Sequence, residues 1–283
     1  MKLLLPTFLA SLAMSVQAEV NQINNSPDVV VDSFKFTEGP LWLAESQKFI
    51  FSDIPNNTLW QLSEDGTISK FIDDSGYTNG NAIDKNGNIW NARHDRKLSR
   101  ITKEGKVDIV AAFFNGKPLN SPNDVAIASD GSVWFTDPPF GINGSGPKLA
   151  KEEQPVRGIY RWQNGELELM NGDLPLPNGI GFNSGNLFVA NTADGWVYKF
   201  SMTDTGLGQP EKFAKSGEMA DGFAFDENHN LWLATTGGVA VFDPQGEQTG
   251  FLPIDAKHTS NVAISPKYVL VTASNKVLRF RRK

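Results

Sequence analysis

The chain has 283 residues, 40% of them hydrophobic, a formal net charge of −6 and no cysteine. That is enough apolar content for a sizeable core. The charge argues against a nucleic-acid or anionic-membrane partner. The missing cysteines exclude disulfides, cysteine nucleophiles and thiolate metal sites.

Lys2, the apolar run Leu3 to Val16 and the small-residue end Val16-Gln17-Ala18 have the make-up of a signal peptide over residues 1–18. This predicts export, to the periplasm or the medium, and leaves no spanning segment in the mature chain. Polar residues 19–27 read as a loose leader, and 28–283 as one domain. Val29-Val30-Val31 is a strand. A hairpin motif then recurs, each time with a polar residue just ahead of or at the start of its first strand. The motif is clearest at Leu119 to Pro139, where Asn123 precedes Val125 to Ile127, Ser129-Asp130-Gly131 turns, and Val133 to Phe135 returns.

Aligned on that polar position, the residues are Glu38, Asn79, Asn123, Asn178, Asp221 and Asn261, at steps of 41, 44, 55, 43 and 40. The period is that of a four-stranded propeller blade, roughly 40–50 residues. Further strand signals at Thr58 to Leu62, Gly158 to Trp162, Val197 to Phe200, Val239 to Phe242 and Lys276 to Arg281 take third place in their blades. The sixth blade runs out of chain, so the strand near Val29 is expected to complete it. The prediction is an all-β, six-bladed propeller of four-stranded antiparallel blades, closed by joining the N- and C-terminal strands, which removes an exposed edge. The long third step holds an insertion over residues 139–157, read as a lid or pocket wall, or else as a solvated loop. The basic end, Arg279 to Lys283, reads as a solvated strand edge.

In a propeller the starts of the inner strands ring one mouth of the central channel. Two carboxylates and four carboxamides there are hard oxygen donors. They suit Ca²⁺, and Mg²⁺ or Mn²⁺ less well, rather than a His-based zinc site. The competing reading is that Asn-Gly and Asp-Gly pairs are only turn formers. A second ring is expected just after the second strands: Asp53, His94 with Arg96, Asp137, Asn191 with Asp194, Thr236 and Ser274. There a bound substrate would touch Asn79, Asn123, His94, Arg96 and Asp137. His258, ahead of the sixth position, is placed to reach the same rim.

Glu38-Gly39-Pro40, Phe51-Ser52-Asp53-Ile54-Pro55-Asn56-Asn57, Asn79-Gly80-Asn81, Leu119 to Val125, Trp134 to Pro139, Pro177-Asn178-Gly179 and Asp221-Gly222 together resemble the regucalcin/gluconolactonase family. The likeness covers nearly the whole mature chain and is closest to the bacterial gluconolactonase-like branch. It implies a divalent-metal-dependent hydrolase opening a sugar lactone. Its cofactor would be one divalent cation, Ca²⁺ first, with Zn²⁺, Mn²⁺ and Mg²⁺ as the other candidates. Glu38, Asn178 and Asp221 match the family's metal ligands, and Asn123 matches a further ligand or substrate contact. Asp221 also matches the proposed proton acceptor, with His94 the other candidate here. Asn191 departs from the family, where an acidic residue is common. Two other readings stay open: a metal-dependent esterase or phosphotriesterase on the same site, and a non-catalytic ligand-binding propeller with a structural ion.

Overall fold

In the computed structural model, residues 23–24, 26–203 and 206–283 are described. The expected signal peptide, 1–18, lies outside them. The inner-to-outer strands of blade 1 are Thr37–Leu43, Lys48–Asp53, Thr58–Ser63 and Ile68–Asp73. Those of blade 2 are Thr78–Ile83, Ile89–Arg93, Lys97–Ile101 and Val107–Ala111. Blade 3 is Val125–Ile127, Val133–Thr136, Ile159–Gln163 and Glu166–Asn171. Blade 4 is Pro177–Asn183, Asn186–Asn191, Trp196–Thr203 and Glu211–Lys215, with a short Gly206–Leu207 extension. Blade 5 is Ala220–Phe225, Leu231–Thr235, Gly238–Phe242 and Gln248–Pro253. The six antiparallel blades form a six-bladed β-propeller. No described helix is long and apolar enough to cross a membrane.

Blade 6 closes the ring as expected. Its order is Thr259–Ile264, Tyr268–Ala273, Lys276–Arg281 and then Val29–Val31, with Val30 opposite Leu278. Arg279 ties the closure down. It donates to both carboxylate oxygens of Asp28 at 3.0 Å and to the carbonyls of Ser63 and Glu64 in blade 1. The basic end is thus partly built in, not merely a solvated edge. Nor is the polar leader loose throughout. Ile23 is fully buried against Leu278 and Phe280, and Asn24 N–H donates to the Arg281 carbonyl at 2.8 Å. One apolar side chain among polar neighbours gives almost no sequence signal, yet burying it is worth about 2 kcal/mol.

The core lies between blades. Trp232, Val241, Val262 and Val271 join blades 5 and 6, and Trp134, Ile180, Val189 and Phe200 join blades 3 and 4. Several hairpins share one device. Asp84 accepts the N–H groups of Asn86 and Asn88 and the indole N–H of Trp90. Asp226 does the same for Asn228, Asn230 and Trp232. The carboxylate caps the turn and fixes the tryptophan that the next blade packs upon.

The inner strands carry one extra residue just past their start, a bulge seen in blades 1, 2, 4, 5 and 6. Glycine follows the polar position in four blades: Gly39, Gly80, Gly179 and Gly222. These Asn-Gly and Asp-Gly pairs are therefore not hairpin turns. They sit in strands, where neighbouring inner strands come within backbone contact. A Cβ at Gly39 would overlap the Asn79 carbonyl, and one at Gly179 would lie 2.5 Å from the Asp221 carbonyl.

Gly179→Ala should therefore cost about 1–3 kcal/mol through overpacking. Gly131→Ala, in a hairpin turn with open space but φ of 86°, should cost about 1 kcal/mol. Urea unfolding of the two variants checks the order; equal losses would mean that the close approach carries no special weight.

Candidate active site

Bulge register settles which residues form the ring at the mouth. Thr37, Thr78, Pro177, Ala220 and Thr259 each pair with the last residue of their second strand. The next residues are Glu38, Asn79, Asn178, Asp221 and, in blade 6, Ser260. Asn261, expected as the sixth ring donor, sits one residue too far along. Counted along the chain, it takes the place that glycine holds in four other blades, as Asp124 does in blade 3. Both side chains enter space those glycines leave. A Cβ at Gly222 would overlap the Asn261 carboxamide, and one at Gly80 would overlap the Asp124 carboxylate. Asn261 and Asp124 thus fill the channel beneath the mouth. Ser260 is a strut, donating to the Thr37 carbonyl at 2.8 Å.

The other five ring residues, Glu38, Asn79, Asn123, Asn178 and Asp221, line one cavity of about 190 Å³ together with His94, Thr192 and His258. Glu38 keeps one oxygen uncommitted. Its two hydrogen bonds, from Gly39 N–H at 2.9 Å and Asn261 Nδ2 at 3.3 Å, both fall on Oε2. Asn178 Nδ2 donates to Thr192 Oγ1 at 2.9 Å, which leaves its carbonyl oxygen free. Thr192 in turn donates to the Ala220 carbonyl at 2.8 Å. Asp221 Oδ2 accepts from His258 Nε2 at 2.7 Å. His258 is set by a reciprocal pair with Ser274 and lies against the Phe36 ring.

The electrostatics would suit a cation. Burial, and then repulsion from Asp221 and Asp124, push the Glu38 carboxyl well above its ordinary range. Burial also raises Asp221, against the pull of His258. Burial would lower His258, but the hydrogen bond and charge of Asp221 outweigh it and raise it. Two buried carboxylates repelling each other beside free carboxamide oxygens fit a hard divalent ion. Among the described residues no three His, Cys, Asp or Glu side chains group into a metal centre. The donor set is instead two carboxylates helped by carboxamides.

Of the expected second ring, His94 alone lines the cavity. It is buried, with Nε2 3.0 Å from Asn79 Nδ2 and Nδ1 3.4 Å from the Ser145 carbonyl. These partners fix a neutral ring protonated on Nδ1. Burial, against the Ser145 bond and the Asp95 charge, lowers its pKa to about 4. Arg96 and Asp137, expected to touch substrate, do not line the cavity. Arg96 donates to the Leu119 carbonyl at 2.6 Å and pairs with Glu153 at 3.0 Å. Asp137 is fully buried and accepts from Asn120 N–H at 2.7 Å; burial raises it to about 7. Asp53 and Asn191 likewise cap backbone N–H groups, of Lys35 and Phe36 and of Leu176. Residues at this point tie down the segment leading into the inner strand. Their recurrence is structural.

The insertion forms part of the wall, with Phe140 and Ser145 at the cavity. Thr192 and His258 join the site from positions that the motif alignment did not single out as donors.

The sequence profile of the SMP-30/gluconolactonase/LRE-like region matches residues 36–274. A gluconolactonase of Zymomonas mobilis is 28% identical over 291 aligned residues, covering 90% of this chain and 81% of the relative. A solved gluconolactonase from Xanthomonas campestris is 30% identical with a TM-score of 0.84, over 89% of this chain and 88% of that one. A regucalcin from Agrobacterium tumefaciens, described as a calcium-binding protein, shares the fold at 18% identity and a TM-score of 0.71, over 92% and 94% of the two chains. By the extent of that match, the chain belongs to the SMP-30/gluconolactonase/LRE-like family.

Proposed function

We propose that this enzyme is a lactonase whose hydrolysis of the ring ester depends on one divalent cation, Ca²⁺ first, at the mouth of the propeller. The observation that carries this is the buried Glu38–Asp221 pair beside the free carbonyl of Asn178. Glu38, Asn178 and Asp221 would hold the ion, with Asn123 as a further ligand or a contact to substrate. The two gluconolactonase relatives support the lactone as substrate, sugar lactones being the first class to assay. The regucalcin described as calcium-binding supports the choice of ion.

A cation there would polarise the ester carbonyl and offset the negative charge that grows as the ring opens. The chain supplies the rest. His258 Nε2–H on Oδ2 holds the Asp221 carboxylate in one orientation, and Asp221 takes the proton of the attacking water and passes it to the ring oxygen as the ester C–O bond breaks. Asn123 and Asn79 line the cavity where the lactone oxygens would lie and orient them. His94 is given a positioning role: its Nε2 is spent on Asn79, and a group with a pKa near 4 is a poor proton acceptor at neutral pH.

Chelation followed by verified metal removal should abolish lactone hydrolysis, and Ca²⁺ or Mn²⁺ should restore it. Full activity in the stripped protein sinks the proposal. Glu38→Gln and Asp221→Asn should each lower kcat/KM about a hundredfold or more, while His229→Ala, on an exposed turn, should leave it within twofold. Aryl esters and organophosphates in the same assay measure the esterase alternative; faster turnover of these than of any lactone would favour it.

The depressed pKa of His94 links stability to acid. Between about pH 6.5 and 4 the unfolded chain binds a proton that the folded chain does not, so stability falls as pH falls, by up to about 3 kcal/mol. Above pH 6.5 the group contributes no slope. Urea midpoints at pH 7 and 4.5 should differ less in His94→Gln than in the parent; equal differences would refute the assignment.

Export remains part of the proposed reading, from Lys2 and the apolar run after it. Deleting residues 1–18 should keep in the cytoplasm a protein that otherwise fractionates with the periplasm or the medium.

A further inference from the structure

The cavity is polar at its floor and apolar around its outer wall. Phe36, Ile54, Phe140 and Met219 form that wall, each from a different segment. Among the described residues no lysine or arginine lines the cavity. Arg96, the nearest basic side chain the motif offered, is turned to the Leu119 carbonyl and Glu153.

The polar groups that remain are largely committed. Thr192 Oγ1 both accepts from Asn178 and donates to the Ala220 carbonyl. His94 and Asn79 bond each other, and His258 bonds Asp221. The uncommitted oxygens of Glu38 and Asn178 are assigned to the cation, and the carboxamide oxygens of Asn79 and Asn123 to the ester group. A ring bearing a hydroxyl on most carbons would bury several of them against apolar side chains, and each unpaired hydroxyl is penalised.

The wall is fixed, not a flap. Gly141 N–H donates to Ser121 Oγ at 2.9 Å, and a Cβ at Gly141 would lie 2.7 Å from the Ser121 Cβ and 2.8 Å from the His94 Cβ. Further along the insertion, Gln154 Nε2 donates to the carbonyls of Phe114, Lys117 and Pro118 at 3.1, 2.8 and 3.0 Å. Phe140 is thereby held at the cavity by the segment that joins it to the fold.

We propose that the site takes a lactone whose ring carries an apolar alkyl or aryl arm, in preference to a fully hydroxylated sugar lactone. The arm seats between Phe36, Ile54, Phe140 and Met219 while the ester group lies over the Glu38–Asp221 floor. This rests on the lactonase reading and narrows its substrate class. Because apolar pockets discriminate about 10-fold or more for each methylene-sized difference, the preference is measurable.

The test uses the full metal-loaded chain and four substrates: D-glucono-δ-lactone, δ-valerolactone, δ-decalactone and dihydrocoumarin, each corrected for its uncatalysed rate. The expected result is a kcat/KM for δ-decalactone or dihydrocoumarin at least 10-fold above that for gluconolactone. Phe140→Ala should lower the ratio of δ-decalactone to δ-valerolactone about 10-fold, chiefly through KM. Met219→Ser is the second variant, should the first not fold. A gluconolactone kcat/KM equal to or above the others overturns the inference and leaves the lactonase reading standing. A ratio that neither variant moves also overturns it. No turnover of any of the four with Ca²⁺, Mn²⁺ or Zn²⁺ overturns the lactonase reading itself, and the inference with it.

Discussion

Everything at the mouth depends on how closely six inner strands approach one another. Five of the six begin with a bulge, and in four blades the residue after the ring position is a glycine, because a neighbouring blade leaves no room there for a side chain. The strands are then laced together. Ser52 Oγ donates to the Asn79 carbonyl at 2.7 Å, Thr136 Oγ1 to that of Asn178 at 2.7 Å, and Gly80 N–H to that of Asn123 at 2.8 Å. Backbone satisfied in this way keeps the ring residues in place without help from loops. Polar side chains from different blades can then converge on a space the size of an ion and a small ester.

Convergence has an electrostatic cost that the fold does not relieve. Glu38 and Asp221 come from blades 1 and 5, and both are buried. His258 answers part of the charge on Asp221, but Glu38 has only N–H donors on one oxygen. Two buried carboxylates that repel each other do not serve stability. Replacing the pair with apolar residues would serve the core better, so its presence argues for chemistry.

Much of this was legible in the chain. The steps between polar positions gave six blades, and the surplus strand at Val29 gave the closure. Five of the six expected ring residues, Glu38, Asn79, Asn123, Asn178 and Asp221, line one cavity. The sixth, Asn261, does not line the cavity: Asn261-Val262 looks like the Asn-Gly steps elsewhere, but in blade 6 the residue after Thr259 is Ser260, the unpaired residue of the bulge, and Asn261 pairs with Thr272. Only the bulge, a property of strand register, separates the two. The second ring failed for a different reason. Asp53, Asp137 and Asn191 recur after the second strands because each caps an incoming segment, and a recurring polar residue reads the same whether it faces backbone or ligand. Arg96 likewise does not line the cavity, and sequence cannot show that its guanidinium turns to the Leu119 carbonyl and Glu153. The apolar wall was scattered over four segments and carried no motif.

The clasp of Val29–Val31 on Lys276–Arg281 has a consequence in time. Glu38 is made more than 200 residues before its partner Asn261 and the Arg279 that grips blade 1. Blade 1 therefore waits, with an unmatched flank, until the final strand arrives. The cavity at the mouth is a product of ring closure, and a nascent chain without its sixth blade has Glu38 and Asp221 without the space they enclose.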